Sequence, residues 1–121
     1  MPIFDVEVVR REGERLPEAL AAGLAEALGA VMGAAPGKVW VRLRELAPER
    51  YAENGAGPAR PSPAFVTLLA SAAPEGDRLA ERVAGITAEV ARLTGRDPDN
   101  VHVLVETSAR GRIAFGGRVV R

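Results

Sequence analysis

The feature that most constrains this chain is a pattern that occurs twice. Gly33-x-x-Pro36-x-x-Val39-x-Val41 returns as Gly95-x-x-Pro98-x-x-Val101-x-Val103, with all four positions displaced by the same 62 residues. A unit repeated once at a fixed offset must fold twice into the same supersecondary element. Ahead of each copy lie a short run rich in branched and aromatic residues and then a longer stretch of helical period. The runs are Ile3-Phe4-x-Val6-x-Val8-Val9 and Phe65-Val66-x-Leu68-Leu69, which read as strands. Leu79, Val83, Ile86, Val90 and Leu93 recur at spacings of four and three, a single apolar stripe, and Leu16, Leu20, Leu24, Leu28 and Val31 do much the same in the first half. Pro17 and Pro74 are expected in the first helical turns, and Gly33 and Gly95 at the C-terminal stops.

A second strand closes each unit, over 39–46 and 101–107. Val39, Val41 and Leu43 alternate with Trp40, Arg42 and Arg44, so one face is buried and the other is exposed or interfacial. Each unit is therefore β-α-β, with its two strands parallel and joined by a right-handed crossover. The expected fold is a single α+β domain made of pseudo-repeats 2–55 and 63–121. It has a four-stranded sheet and two helices on one face. Residues 54–63, dense in glycine and proline, form the linker. The glycines around Arg112-Ile113-Ala114-Phe115 predict a terminal hairpin or added strand. Helices on one side only leave the other sheet face uncovered, which predicts self-association.

Composition removes several function classes. The 121 residues carry 16 basic and 16 acidic side chains with no block of one sign, so nucleic acid and anionic membrane are not expected partners. The absence of cysteine removes disulfides, thiolate metal sites and thiol nucleophiles. No GxGxxG, Walker loop, nucleophile elbow or His/Asp/Glu metal cluster is present, so neither cofactor nor metal is expected. Charges at Asp5, Glu7 and Arg10 interrupt any leader-like apolar stretch, and a soluble cytoplasmic protein is expected.

What remains as a candidate for chemistry is the start, Met1-Pro2-Ile3, running directly into a strand. Removal of Met1 would leave Pro2 with a free secondary amine. A free α-amino group titrates near ~7.7–8.0. An apolar pocket or a nearby cation lowers that value further, which makes the amine a usable base. Met-Pro is also a common and uninformative beginning, and the dipeptide alone does not decide between the two.

The order of these motifs resembles the tautomerase superfamily. Pro2-Ile3 opens a strand, Ala35-Pro36 precedes a second strand, and Glu45-Leu46 leads to Tyr51 and Asn54-Gly55. Asp97-Pro98-Asp99-Asn100-Val101 and Phe115-Gly116-Gly117 follow in the second half. The chain is similar to 4-oxalocrotonate tautomerase in its fused, double-length form. It is also similar to 5-carboxymethyl-2-hydroxymuconate isomerase and malonate semialdehyde decarboxylase. The resemblance implies a homotrimer and a cofactor-independent isomerase of a small 2-oxo or enol acid, with Pro2 as general base. It implies a carboxylate-binding arginine just after the first strand, at Arg11 or Arg10, with Arg15 a further candidate. Trp40 falls where the family has its second-strand arginine. Arg42 or Arg44, on the same face, could replace that arginine or make ordinary ion pairs. Tyr51 matches an aromatic wall position and could equally be packing. His102 occupies the place of Trp40 in the second repeat. Residues 70–74 hold no arginine, unlike the decarboxylase and dehalogenase branches. Two alternatives stand beside this expectation, a non-catalytic trimeric binding protein and a proline-dependent lyase or hydratase.

Overall fold

The computed structural model describes residues 2–57 and 61–121. The expected linker 54–63 therefore lies partly outside the described residues. The elements are β1 (Ile3–Val9), α1 (Leu20–Met32), β2 (Trp40–Leu46), β3 (Ala64–Leu69), α2 (Gly76–Thr94), β4 (Val101–Val105), β5 (Ala114–Phe115) and β6 (Arg118–Val119). Short 3-10 turns lie at Pro48–Arg50 and Pro98–Asn100. The first four strands form one mixed sheet in the order β2-β1-β3-β4. Each repeat contributes a parallel pair, and the two pairs join through antiparallel β1 and β3.

The 62-residue offset survives in three dimensions. Ile3 pairs with Trp40, and their images Phe65 and His102 pair in the same way. Phe4, Val6 and Val8 from β1 and Ala64, Val66 and Leu68 from β3 point to the helix side and are buried. Leu24 and Leu28 of α1 meet them, as do their images Ile86 and Val90 of α2. Each of these side chains larger than alanine, fully removed from water, contributes about 1.5–3 kcal/mol, so this layer carries the fold. The helices touch through a second pair of images. A Cβ added at Gly85 would stand 3.0 Å from Val31, and one at Gly23 3.9 Å from Leu93. Both helices end on a left-handed glycine, Gly33 at φ 62° and Gly95 at φ 69°, whose backbone N–H groups close the last turn.

Four boundaries differ from the sequence expectation. Pro17 lies ahead of α1 in a separate turn, with Leu20 N donating to Pro17 O at 3.1 Å, and Pro74 lies two residues ahead of α2. A proline fixes its own φ but does not decide where the i→i+4 ladder begins. The second strand of the first half starts at Trp40 instead of 39. In the second half the strand stops at Val105 instead of 107. The chain then crosses the end of β3, where Ala109 N and Arg110 N donate to Ala70 O and Ser71 O. The terminal hairpin is present as β5 and β6, closed by Gly116 and Gly117.

Among the described residues, no helix covers the other sheet face. Among the large apolar residues, Trp40, Phe65 and Leu104 there remain 38%, 37% and 58% exposed. Among the described residues, no helix is long and apolar enough to cross a membrane.

Candidate active site

Pro2 is buried and precedes the central strand β1. Its carbonyl accepts from Trp40 N at 3.2 Å, which extends the β1–β2 ladder past Ile3. Ile3 is also opposite Leu69, so Pro2 lies between the start of β2 and the end of β3. Its place in the pleat puts it in phase with Phe4 and Val6, on the helix side. The Trp40 ring, in phase with Ile3, stacks on Phe115 with centroids 5.0 Å apart and planes at 20°. The hairpin bearing Phe115 is held by Val120 N to Ile113 O at 2.9 Å. An aromatic wall from two distant segments therefore stands at the Pro2 end of the sheet. Phe115 was legible as part of a hairpin, but nothing in the sequence pairs it with Trp40.

The other candidates fall elsewhere within the chain. Arg42 lies opposite Asp5 on the uncovered face and grips it with Nε–Oδ1 at 2.6 Å and Nη2–Oδ2 at 2.8 Å. That hydrogen-bonded carboxylate, with its charge, raises the Arg42 pKa. Arg44 reaches the same carboxylate at 3.7 Å. Tyr51 donates to Glu53 at 2.5 Å, and its ring lies 6.1 Å from Phe65, which in turn lies 5.5 Å from His102. Phe65 pairs with Glu7, four positions along β1 from Ile3, so this aromatic row is about 13 Å from the Pro2 end. Arg10 and Arg11 follow Val9, about 20 Å along the strand from Ile3. Thus one chain brings Trp40 to Pro2 and gathers Tyr51 with His102 at the opposite end, where Arg10 and Arg11 also lie.

That opposite end is closed by a cluster the sequence reading missed. The Arg96 side chain is 1% exposed and meets Glu14 through Nη1–Oε2 at 2.8 Å and Nη2–Oε1 at 2.6 Å. It also donates to the carbonyls of Val9, Ser62 and Thr94. Arg11 adds bonds to Glu14 and to Gly95 O. The Arg96 hydrogen bonds lead the forces that lower the Glu14 pKa from 4.5 to about 2, against a smaller opposing effect of burial. A pocket of about 550 Å³ opens beside this cluster, with Arg11, Pro48, Ser62 and Arg96 in its wall. Arg96 belongs to no motif and comes to Glu14 only through the fold.

The repeat makes the two ends comparable. Shifted by 62 residues, Glu14 becomes Gly76, Arg96 becomes Ala34 and Arg11 becomes Ala73. Pro2 itself becomes Ala64. The end without the proline is filled by an ion pair, and the Pro2 end carries small residues at the matching positions. Among the described residues, no group of three or more His, Asp or Glu side chains could hold a metal ion.

No protein-family model and no curated protein sequence matches the chain. Solved structures do. A fused 4-OT, solved as a symmetric trimer, superposes with a TM-score of 0.76 at 20% identity, over 98% of this chain and 94% of that one. The macrophage migration inhibitory factor of Trichinella spiralis gives 0.74 at 14% identity over 97% and 98%. This chain has the same fold as these structures. A malonate semialdehyde decarboxylase shares it too, at TM-score 0.69 and 16% identity over 94% of this chain and 90% of that one. The two β-α-β units in one four-stranded sheet, read from the repeat, are therefore the observed architecture.

Proposed function

We propose that this chain is a cofactor-independent tautomerase of a small 2-oxo or enol acid, with Pro2, freed of Met1, as general base. The observation that carries the reading is the contrast between the two ends of the sheet. Where the duplication places Ala64, an Arg96–Glu14 pair fills the space; where it places Pro2, those positions are Ala34 and Gly76. Pro2 is buried, and desolvation favours the neutral amine. A neutral amine near the working pH takes a proton from the carbon beside the carbonyl and returns it elsewhere on the conjugated system. Cationic donors stabilise the enolate as it develops. The superposable malonate semialdehyde decarboxylase was solved both as wild type and as a variant whose first-residue proline is replaced by alanine.

The working assembly is a homotrimer in the cytoplasm, with the uncovered face and Trp40, Phe65 and Leu104 at subunit contacts. The symmetric trimer of the fused 4-OT supports this arrangement. Subunit contact also offers a route by which Arg10, Arg11, Tyr51 or His102 of one copy serves Pro2 of another. A second reading is a trimeric binding protein without catalysis. It is favoured by one observation: Trp40 stands where the resemblance calls for arginine, and Asp5 already neutralises Arg42.

The test is intact mass together with the pH–rate profile of wild type and Pro2→Ala on phenylenolpyruvate and 2-hydroxymuconate. The mature mass should lack Met1, and Pro2→Ala should lose most of the rate with the fold intact. Full activity of Pro2→Ala, or an active sample that retains Met1, refutes the base. No turnover by wild type on any enol acid supports the binding protein instead, and proline-dependent addition of water or loss of CO2, read by NMR, identifies a hydratase or lyase.

A further inference from the structure

We propose that the pocket beside the Arg96–Glu14 pair is a second binding site, one that takes a small apolar α-amino acid. It lies at the end of the sheet away from Pro2, and the proposal stands apart from what Pro2 does. The cavity of about 550 Å³ falls within the span of roughly 300–1,000 Å³ typical of small-molecule sites. Val9 and Pro48 give it apolar surface, and Arg11, Glu12, Arg96 and Asp97 give it charge. Those charges are not required by the β-α-β unit. Displaced by 62 residues, Arg11 becomes Ala73, Glu12 becomes Pro74, Arg96 becomes Ala34 and Asp97 becomes Ala35, so the matching place at the Pro2 end carries none of them.

Hydrogen bonding divides these groups into engaged and free. All five Arg96 donors are taken, two by Glu14 and three by the carbonyls of Val9, Ser62 and Thr94. Arg11 shares the same carboxylate, so Glu14 faces two guanidiniums and one positive charge stays unbalanced. The Arg11 side chain is 52% exposed and uses two of its five donors, on Glu14 Oε2 at 3.3 Å and Gly95 O at 2.8 Å. Among the described residues neither Glu12 nor Asp97 forms an ion pair, and the Asp97 carboxylate accepts through Oδ1 alone, from Asp99 N at 2.9 Å. The Asn100 side-chain amide, half-buried in the same wall, has no partner among them either. Arg11 bonds to Gly95, two residues from Asp97, so opposite charges line one cavity as neighbours without meeting. A guest with a carboxylate and an ammonium on one carbon bridges them. Its carboxylate takes the free Arg11 donors and the Asn100 amide, and its ammonium takes the Asp97 and Glu12 oxygens through charge-assisted bonds. Its side chain lies against Val9 and Pro48. A carboxylic acid alone would set its charge against Glu12 and Asp97, and an amine alone would set its charge against Arg11. The same selection disfavours the 2-oxo acid proposed for Pro2, which has a ketone where the amino acid has its ammonium.

The experiment is a calorimetric titration of the full chain with L-leucine. Wild type should bind it with a Kd below about 1 mM. 4-Methylpentanoate, which lacks the ammonium, and 3-methylbutylamine, which lacks the carboxylate, are tested as competitors of leucine and should bind its site at least about tenfold more weakly. Asp97→Asn and Arg11→Gln should each raise the leucine Kd about tenfold or more, and Pro2→Ala should leave it unchanged. Because Arg11 also bonds to Glu14, unfolding midpoints are taken on each variant, and Asp97→Asn, whose amide oxygen still accepts from Asp99 N, tests the site with the cluster intact. Absence of leucine binding at about 10 mM overturns the proposal. So does a leucine affinity that is the same in wild type, Asp97→Asn and Arg11→Gln, or a half-ligand that competes as well as leucine binds. Loss of leucine binding in Pro2→Ala also overturns it, because the ligand would then belong to the Pro2 end.

Discussion

Glu14→Gln isolates the Glu14–Arg96 pair at little cost in shape. Lowering a carboxyl from 4.5 to about 2 on folding corresponds to about 3.4 kcal/mol at neutral pH, at 1.36 kcal/mol per pH unit. The Glu14 side chain is 19% exposed and glutamine keeps one neutral acceptor, so the expected loss is about 2–3 kcal/mol. For a domain of this size that lowers Tm by about 10 °C. The sign with pH is definite. The folded value lies below the unfolded one, so the stabilisation is complete above about pH 4.5 and is lost as pH falls towards 2. About 1.4 kcal/mol of the 3.4 should remain at pH 3. Urea unfolding of wild type and variant at pH 7, 5, 4 and 3, at one protein concentration because assembly shifts apparent stability, should show a gap that narrows by more than half. A gap under about 0.5 kcal/mol at pH 7, or one unchanged down to pH 3, refutes the view that this charged pair closes the far end of the sheet.

The helix contact gives opposite expectations for two equivalent glycines. Gly23→Ala places its Cβ at an ordinary 3.9 Å and should stabilise by about 0.5–1 kcal/mol through helix propensity. Gly85→Ala presses on Val31 at 3.0 Å, so chemical denaturation should show it neutral to about 2 kcal/mol less stable. Leu104→Asp, on the uncovered face, should convert the proposed trimer to monomer in light scattering with the far-UV spectrum retained; a trimer that survives removes this face from the interface. Phe115→Ala should take the stacked partner from Trp40 and shift its emission to longer wavelength, and an unchanged spectrum would mean that the stack does not persist in solution.

The repeat made the architecture legible in advance. Apolar residues at period two and at spacings of three and four decide which side of each element avoids water, and these are local properties of the chain. Duplication at a fixed offset then required two β-α-β units of the same register, and Ile3–Trp40 with Phe65–His102 obey it. Within one unit the parallel β1–β2 register sets Trp40 beside Pro2, whose carbonyl accepts from Trp40 N. Contacts between units were not accessible in the same way. Arg96 finds Glu14, and Phe115 finds Trp40, only after β1 and β3 join antiparallel and the C-terminal chain crosses the sheet end. Parallel β2 already carries Tyr51 to the end away from Pro2, and the antiparallel join brings His102 to that same end. Sequence periodicity reports which face a residue occupies. Which end of the sheet it shares, and with whom, is decided by how the two units pack together.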